Sequence, residues 1–119
     1  MKPGKFSVVS RLVGDTAVVC PKGYLNNLSG ESLVRECGAY ISKGTTKIVV
    51  NFSEIDLINS IGISLLLQII EDIRNIEGTI CCTDMSKFLR DTFEMLGLIK
   101  HILVFPTESD ALKYLKAGS

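Results

Sequence analysis

The chain has 119 residues, one domain's worth, a length that buries roughly two thirds of the surface an unfolded chain exposes. Its 13 basic and 13 acidic residues cancel and neither sign forms a block, which excludes the charge footprint that a nucleic-acid backbone requires. The longest uncharged run, Leu57 to Ile70, is about 14 residues, short of the roughly 20 that cross a bilayer, and the start MKPGKFSVVSR has no apolar run behind its charges. The expected setting is the cytoplasm, with no membrane span.

KFSVVSRL and TAVVC are β-rich runs either side of Val13, Gly14 and Asp15, a connection of hairpin length, so the chain is expected to open with two antiparallel strands. NNLSGESLVRECGAYISKG follows, with Leu28, Val34, Cys37 and Ile41 near helical spacing, Asn26 or Asn27 as the cap and Gly44 as the stop. KIVVNF is almost continuously apolar, the pattern of a strand covered on both faces, and SEIDLIN leads from it into a second helix.

In that second helix Ile63, Leu66, Leu67, Ile70 and Ile73 form a core stripe, and Ser60, Ser64, Gln68 and Asp72 a polar one. A further row, Ile61, Leu65, Ile69 and Ile76, leaves the first half apolar over most of its circumference, the mark of deep burial or of a partner. Ser60, with Asn59 in an Asx-type turn and Gly62 permitting close approach, is expected to cap the helix.

GTICCT reads as another buried strand. SKFLRDTFEMLGLIKH places Phe88, Leu89, Thr92, Phe93 and Leu96 on one side of a helix, with Ser86 as cap and Gly97 as stop. ILVFP is a last strand ended by Pro106, and TESDALKYLKAGS a short helix capped by Thr107 or Ser109 that docks through Ala111, Leu112 and Leu115. The order ββαβαβαβα predicts a single α/β domain over residues 1–119. Its central sheet is mainly parallel, with an N-terminal antiparallel hairpin and helices packed against it in two or three layers.

Cys20, Cys37, Cys81 and Cys82 form no C-x-x-C pair, and adjacent residues of a strand face opposite sides, so no metal site, cofactor or disulfide framework is expected. His101 has no ligand or catalytic partner at a suitable spacing. No nucleophile–base pair, carboxylate pair or glycine-rich phosphate cradle is assembled, and GISLL lacks the second glycine of a nucleophile elbow. Asp56, near a strand end, lacks the acidic pair that a phosphoacceptor's metal ion needs. These readings point to a binding module rather than an enzyme. Parallel sheets gather their sites beyond the carboxyl ends of strands, and the loop carrying Asn59 and Ser60 is such a place.

KIVVNFSEIDLINSIGISLLL resembles the signature of the STAS domain, in particular that of bacterial anti-sigma factor antagonists, in which a strand leads into a D-S-x-G motif. Asn59, Ser60, Ile61 and Gly62 fall on those four positions. GYLNN, FEMLGLIKHILVFPTESDAL and the element order extend the resemblance over nearly the whole chain. Asn59 stands where the family usually has Asp, and Asn51 where the preceding strand often ends in Asp. Asparagine keeps the size and the hydrogen bonding but removes a charge that a kinase reads or that holds the loop.

The resemblance implies a STAS fold and an anti-sigma factor antagonist with Ser60 as its phosphorylated serine. Unphosphorylated, such a protein binds an anti-sigma factor that is also a serine-protein kinase and frees a sigma factor; phosphorylation releases it. ATP and magnesium belong to the kinase, and a serine phosphatase is a further partner that the resemblance allows. On this reading Asn26, Asn59, Ser60, Ile61, Gly62, Ser64 and Leu65 form the partner-binding surface, with Ile61 and Leu65 as apolar anchors. Gly23, Tyr24, Leu25 and Asn26 match a loop that lies beside the serine. Two alternatives stand beside it: an unphosphorylated STAS adaptor or scaffold subunit of a signalling assembly or of a lipid or solute transporter complex, and a small-molecule-binding domain whose pocket the second helix lines.

Overall fold

In the computed structural model, residues 6–117 are described. β1 (Ser7–Val13) and β2 (Thr16–Leu25) make the expected hairpin, with Val13 opposite Thr16 across a two-residue turn. Lys5 of the expected first strand, and residues 118–119 of the expected last helix, lie outside the described residues. There follow α1 (Asn27–Ser42), β3 (Lys47–Asn51), β4 (Glu54–Ile58), α2 (Ser60–Asn75), β5 (Thr79–Thr83), α3 (Lys87–Met95), a 3-10 turn at Leu98–His101, β6 (Leu103–Phe105) and α4 (Glu108–Ala117). The main path of the sheet runs β1-β2-β3-β5-β6, antiparallel in the hairpin and parallel elsewhere.

SEIDLIN is more than a connector, because most of it forms β4. β2 is 10 residues long, where TAVVC alone was expected, and it serves two parallel partners in turn. Thr16 to Val19 pair with β3, and Lys22 to Leu25 with β4. Pro21 falls between these two ladders, which is where a residue without an N–H is tolerated inside a long strand. The β2–β4 register slips between Gly23 and Tyr24, so that Asp56 is passed over. Ile55 and Leu57, two residues apart, therefore do not share a face: the first is buried and the second exposed. Gly23 supplies the φ of 108° that this irregularity requires.

Three unequal layers result. Leu33 and Cys37 of α1, four residues of α2 (Leu66, Ile69, Ile70 and Ile73), and Leu89 and Phe93 of α3 pack on one sheet face, against Ala17, Val19, Ile48, Val50, Ile80 and Cys82. Phe52 and Phe93 meet there edge to face, ring centroids 5.7 Å apart. α4 alone covers the other face, laying Ala111 and Leu115 on Val18, Val49 and Cys81. Cys81 and Cys82 thus face opposite sides, and all four cysteines are free. Burial pushes the Cys81 thiol up to about 11 and that of Cys37 to about 12, so both remain neutral packing groups.

Helix ends follow the local rules with some changes of residue. Asn26 caps α1: its Oδ1 accepts from Leu28 and Ser29 N–H at 3.1 Å each, while Ser29 Oγ accepts from Asn26 N–H at 2.7 Å. Ser86 Oγ accepts from Leu89 N–H at 3.2 Å. At α4 the role falls to Thr107 rather than Ser109, with Thr107 Oγ1 accepting from Asp110 N–H at 3.1 Å. The core stripe of α1 runs through Gly30, Leu33 and Cys37, which turns Leu28 outward; Leu67 of α2, Phe88 of α3 and Leu96 just after it are likewise exposed rather than core. Ile69, from the supplementary row of α2, is buried instead.

Candidate functional site

The carboxyl ends of β2 and β4 lie side by side, Leu25 opposite Ile58, and each leads into the first turn of a helix. Asn59 N–H donates to the Leu25 carbonyl at 3.1 Å, which ties the start of α2 to the end of β2. Gly62 sits over the same carbonyl. A Cβ at this position would lie 2.3 Å from the Leu25 oxygen and 2.9 Å from its carbon, so only a hydrogen fits. Across the α1–α2 contact, Gly30 faces Leu65 in the same way, but the obstacle there is the flexible Leu65 Cδ1 at 2.6 Å.

Asn59, not Ser60, caps α2. Its backbone is extended (φ −102°, ψ 176°) and its Oδ1 accepts from Gly62 N–H at 2.7 Å. Ser60 is the first residue of the helix proper, so it no longer has the extended backbone that lets a cap side chain fold over the first turn. Its side chain is exposed, and its hydroxyl makes no hydrogen bond to the described residues. The amide thus takes over the capping, and the hydroxyl is left for solvent. Replacing Asn59 with alanine is expected to cost about 1 kcal/mol of unfolding free energy. Asn59→Asp keeps the acceptor, adds charge at the positive end of the helix, and is expected to match or exceed wild type by up to about 1 kcal/mol. Urea unfolding of the two variants checks both values.

The other expected surface residues divide. Asn26 is half-buried, with its Oδ1 committed to α1. Ser64 Oγ donates to the Ser60 carbonyl at 3.1 Å, so it serves its own helix. Leu65 is half-buried against Gly30, which gives it an interhelical role more than that of an exposed anchor. Ile61 is free, at 51% exposed. Tyr24 at 44%, Leu57 at 56% and Leu28 at 72% are exposed as well, though Tyr24 and Leu57, next in the chain to the core residues Leu25 and Ile58, point to the sheet face opposite α2. Tyr24 and Leu57 are register partners on β2 and β4, and Leu28 and Ile61 occupy the first turns of α1 and α2. Leu28 and Leu57 are new to the surface. Finding Leu28 needed the α1 stripe to be placed on Leu33, and finding Leu57 needed the slip in β4. Glu54, at the opposite end of β4, lies 3.9 Å from Lys22.

Asn51 has a distinct neighbourhood. Its Oδ1 accepts from Ser53 N–H at 2.9 Å, and its Nδ2 donates to Glu108 Oε1 at 3.0 Å. Arg11 donates to the other oxygen of Glu108. Burial pushes the Glu108 carboxyl up, but the hydrogen bonds from Asn51 and Arg11 and the charge of Arg11 outweigh it and hold the group below its ordinary range. An aspartate at position 51 would present like charge to Glu108, so the neutral amide is the residue that this contact accommodates. Among the described residues, no cluster of His, Cys, Asp and Glu is arranged to hold a metal ion, and no helix is long and apolar enough to cross a membrane.

A mixed sheet of this order, in which the second parallel partner of β2 leads through Asn59 into α2, is a fold already known. A profile of the STAS domain matches residues 8–111, and the chain belongs to that family. BtrV of Bordetella bronchiseptica, which carries the name of an anti-sigma factor antagonist, is 26% identical over 89 residues, 75% of this chain and 74% of its own length. An anti-sigma factor antagonist from Mycobacterium paratuberculosis superposes with a TM-score of 0.84 at 20% identity, over 94% of this chain and 95% of that one. The anti-sigma factor antagonist SpoIIAA in its unphosphorylated form gives 0.74 at 20% identity, over 94% and 98%. The Bacillus SpoIIAA in its phosphorylated form gives 0.72 at 22% identity, over 93% and 99%. At these identities the structural likenesses establish the fold.

Proposed function

We propose that the protein is an anti-sigma factor antagonist that works by docking and not by catalysis. In its unphosphorylated form the pole around Ser60 binds an anti-sigma factor with serine kinase activity, and a sigma factor is freed. The observation that carries this reading is the Ser60 hydroxyl: exposed, without a hydrogen-bond partner among the described residues, and set in the first turn of a helix next to the exposed Ile61. An exposed apolar neighbour beside an uncommitted hydroxyl suits a partner that buries the serine and then modifies it. The name of BtrV and those of the structural relatives support the same assignment.

Transfer of a phosphoryl group to Ser60 Oγ from the ATP of the partner would add a charge of about −1.5 to −2. Helix N–H groups and the positive end of the α2 dipole tolerate that charge within the protein. Asn59 adds no carboxylate beside it. A docked surface has no such tolerance, because burying the phosphate against a partner would strip it of water. Phosphorylation therefore favours release, and a serine phosphatase restores the docking form.

The test is incubation of the protein with ATP, magnesium and each candidate serine kinase from its own genome, followed by mass spectrometry. Phosphate on Ser60, lost in Ser60→Ala, is the expected result. Absence of phosphate with every kinase would favour the adaptor or transporter-subunit alternative.

A further inference from the structure

The second face of the sheet is covered incompletely. α4 packs over β3, β5 and β6 and leaves the end of β1 and the hairpin turn without a helix. Between α4 and that turn lies a cavity of about 490 Å³, within the range of small-molecule sites. Val13 of β1 and Leu112 of α4 contribute apolar wall.

Its charged groups are not equivalent. The two carboxylates are already engaged, Asp15 by Lys47 at 3.2 Å, and Glu108 by Asn51 and Arg11. The two ammonium groups, Lys113 and Lys116, are exposed and pair with no described residue. They lie one turn apart on α4, Lys116 on the stripe of Leu112 and Glu108 and Lys113 beside it. The cavity thus combines an apolar wall with two uncommitted positive charges.

We propose that this cavity binds a small amphipathic anion, a molecule with one carboxylate or phosphate head and an aliphatic body. The head sits between Lys113 and Lys116 and the body lies against Val13 and Leu112. Neutralised carboxylates in the lining leave nothing to repel the head, and burial of the body completes the layer that α4 leaves open. The site is on the sheet face opposite α2, so its occupant does not compete for the surface around Ser60, and the proposal stands independently of the function assigned there.

The probe is decanoate, kept below its micelle concentration and titrated into nitrogen-15-labelled protein. Decanol serves as the uncharged control and inorganic phosphate as the control without a chain. The expected result is saturable shifts centred on the amides of Val13, Gly14, Leu112 and Lys113, with binding at least tenfold weaker for each control. The Lys113→Gln/Lys116→Gln double variant, whose changes are on exposed positions, should fold as wild type by circular dichroism and bind decanoate at least tenfold more weakly. Failure of decanoate to saturate, shifts centred elsewhere, equal binding of decanol, or undiminished binding by the double variant would each overturn the proposal. Sedimentation of the protein with phosphatidylglycerol vesicles without binding of free decanoate would assign the two lysines to a lipid surface instead, and would overturn it too.

Discussion

Gly62→Ala is expected to lower the unfolding free energy by about 2 kcal/mol. The added methyl would lie 2.3 Å from the Leu25 carbonyl oxygen, and that oxygen belongs to a backbone already held by the Asn59 N–H. Neither side can yield by a rotamer change, so α2 must move away from β2, an overpacking strain of a kind that usually costs 1–3 kcal/mol or about that. The gain in helix propensity of alanine over glycine, about 1 kcal/mol, opposes this only in part. Gly30→Ala is the internal control. Its obstacles are Leu65 Cδ1 at 2.6 Å, which can swing aside, and Leu65 Cβ at 3.1 Å, which must give only a few tenths of an ångström, so the loss should be smaller. Equal losses in guanidinium unfolding would show that the backbone contact at Gly62 does not fix the position of α2. The disturbance should also reach Asn59, because its hydrogen bond to the Gly62 N–H defines the first turn.

Ser60→Glu is expected to weaken binding of the cognate anti-sigma factor at least 100-fold, about 2.7 kcal/mol, and Ser60→Ala to change it less than fivefold. The difference comes from what each variant asks the interface to bury. Alanine removes a hydroxyl that makes no hydrogen bond to the described residues, and leaves Ile61 in place. Glutamate puts a charge beside the exposed Ile61, where docking must strip its water. Calorimetric titration of the two variants separates these cases. Wild-type affinity in Ser60→Glu would remove the basis for release by phosphorylation. A loss in Ile61→Asp with no loss in Ser60→Glu would locate the interface correctly and place its control elsewhere.

Much of this was legible from residue order. The hairpin, the four helices with their caps at Asn26 and Ser86, and the continuous apolar strands at Ile48 to Val50 and Ile80 to Cys82 follow from periodicity and punctuation alone. The STAS resemblance singled out Ser60, which the structure places as the first residue of α2. β4 was hidden because its register slip destroys the two-residue alternation by which a strand is read, so Ile55 and Leu57 gave no consistent face. The second half of β2 was hidden by Pro21, a breaker in most contexts and harmless between two ladders. The exchange of capping role between Ser60 and Asn59 had another cause. Both residue types cap well, and only the backbone angles distinguish the last extended residue from the first helical one.

β4 is joined to the sheet by one ladder, to β2, whereas β3 and β5 are flanked on both sides. A strand with half the usual fastening opens at a lower free energy than the whole molecule unfolds, and the segment that presents Ser60 opens with it. Melting temperature and readiness to bind are consequently separate properties of this chain. A variant can keep the first, set by the double-sided centre, and lose the second through a loosened margin.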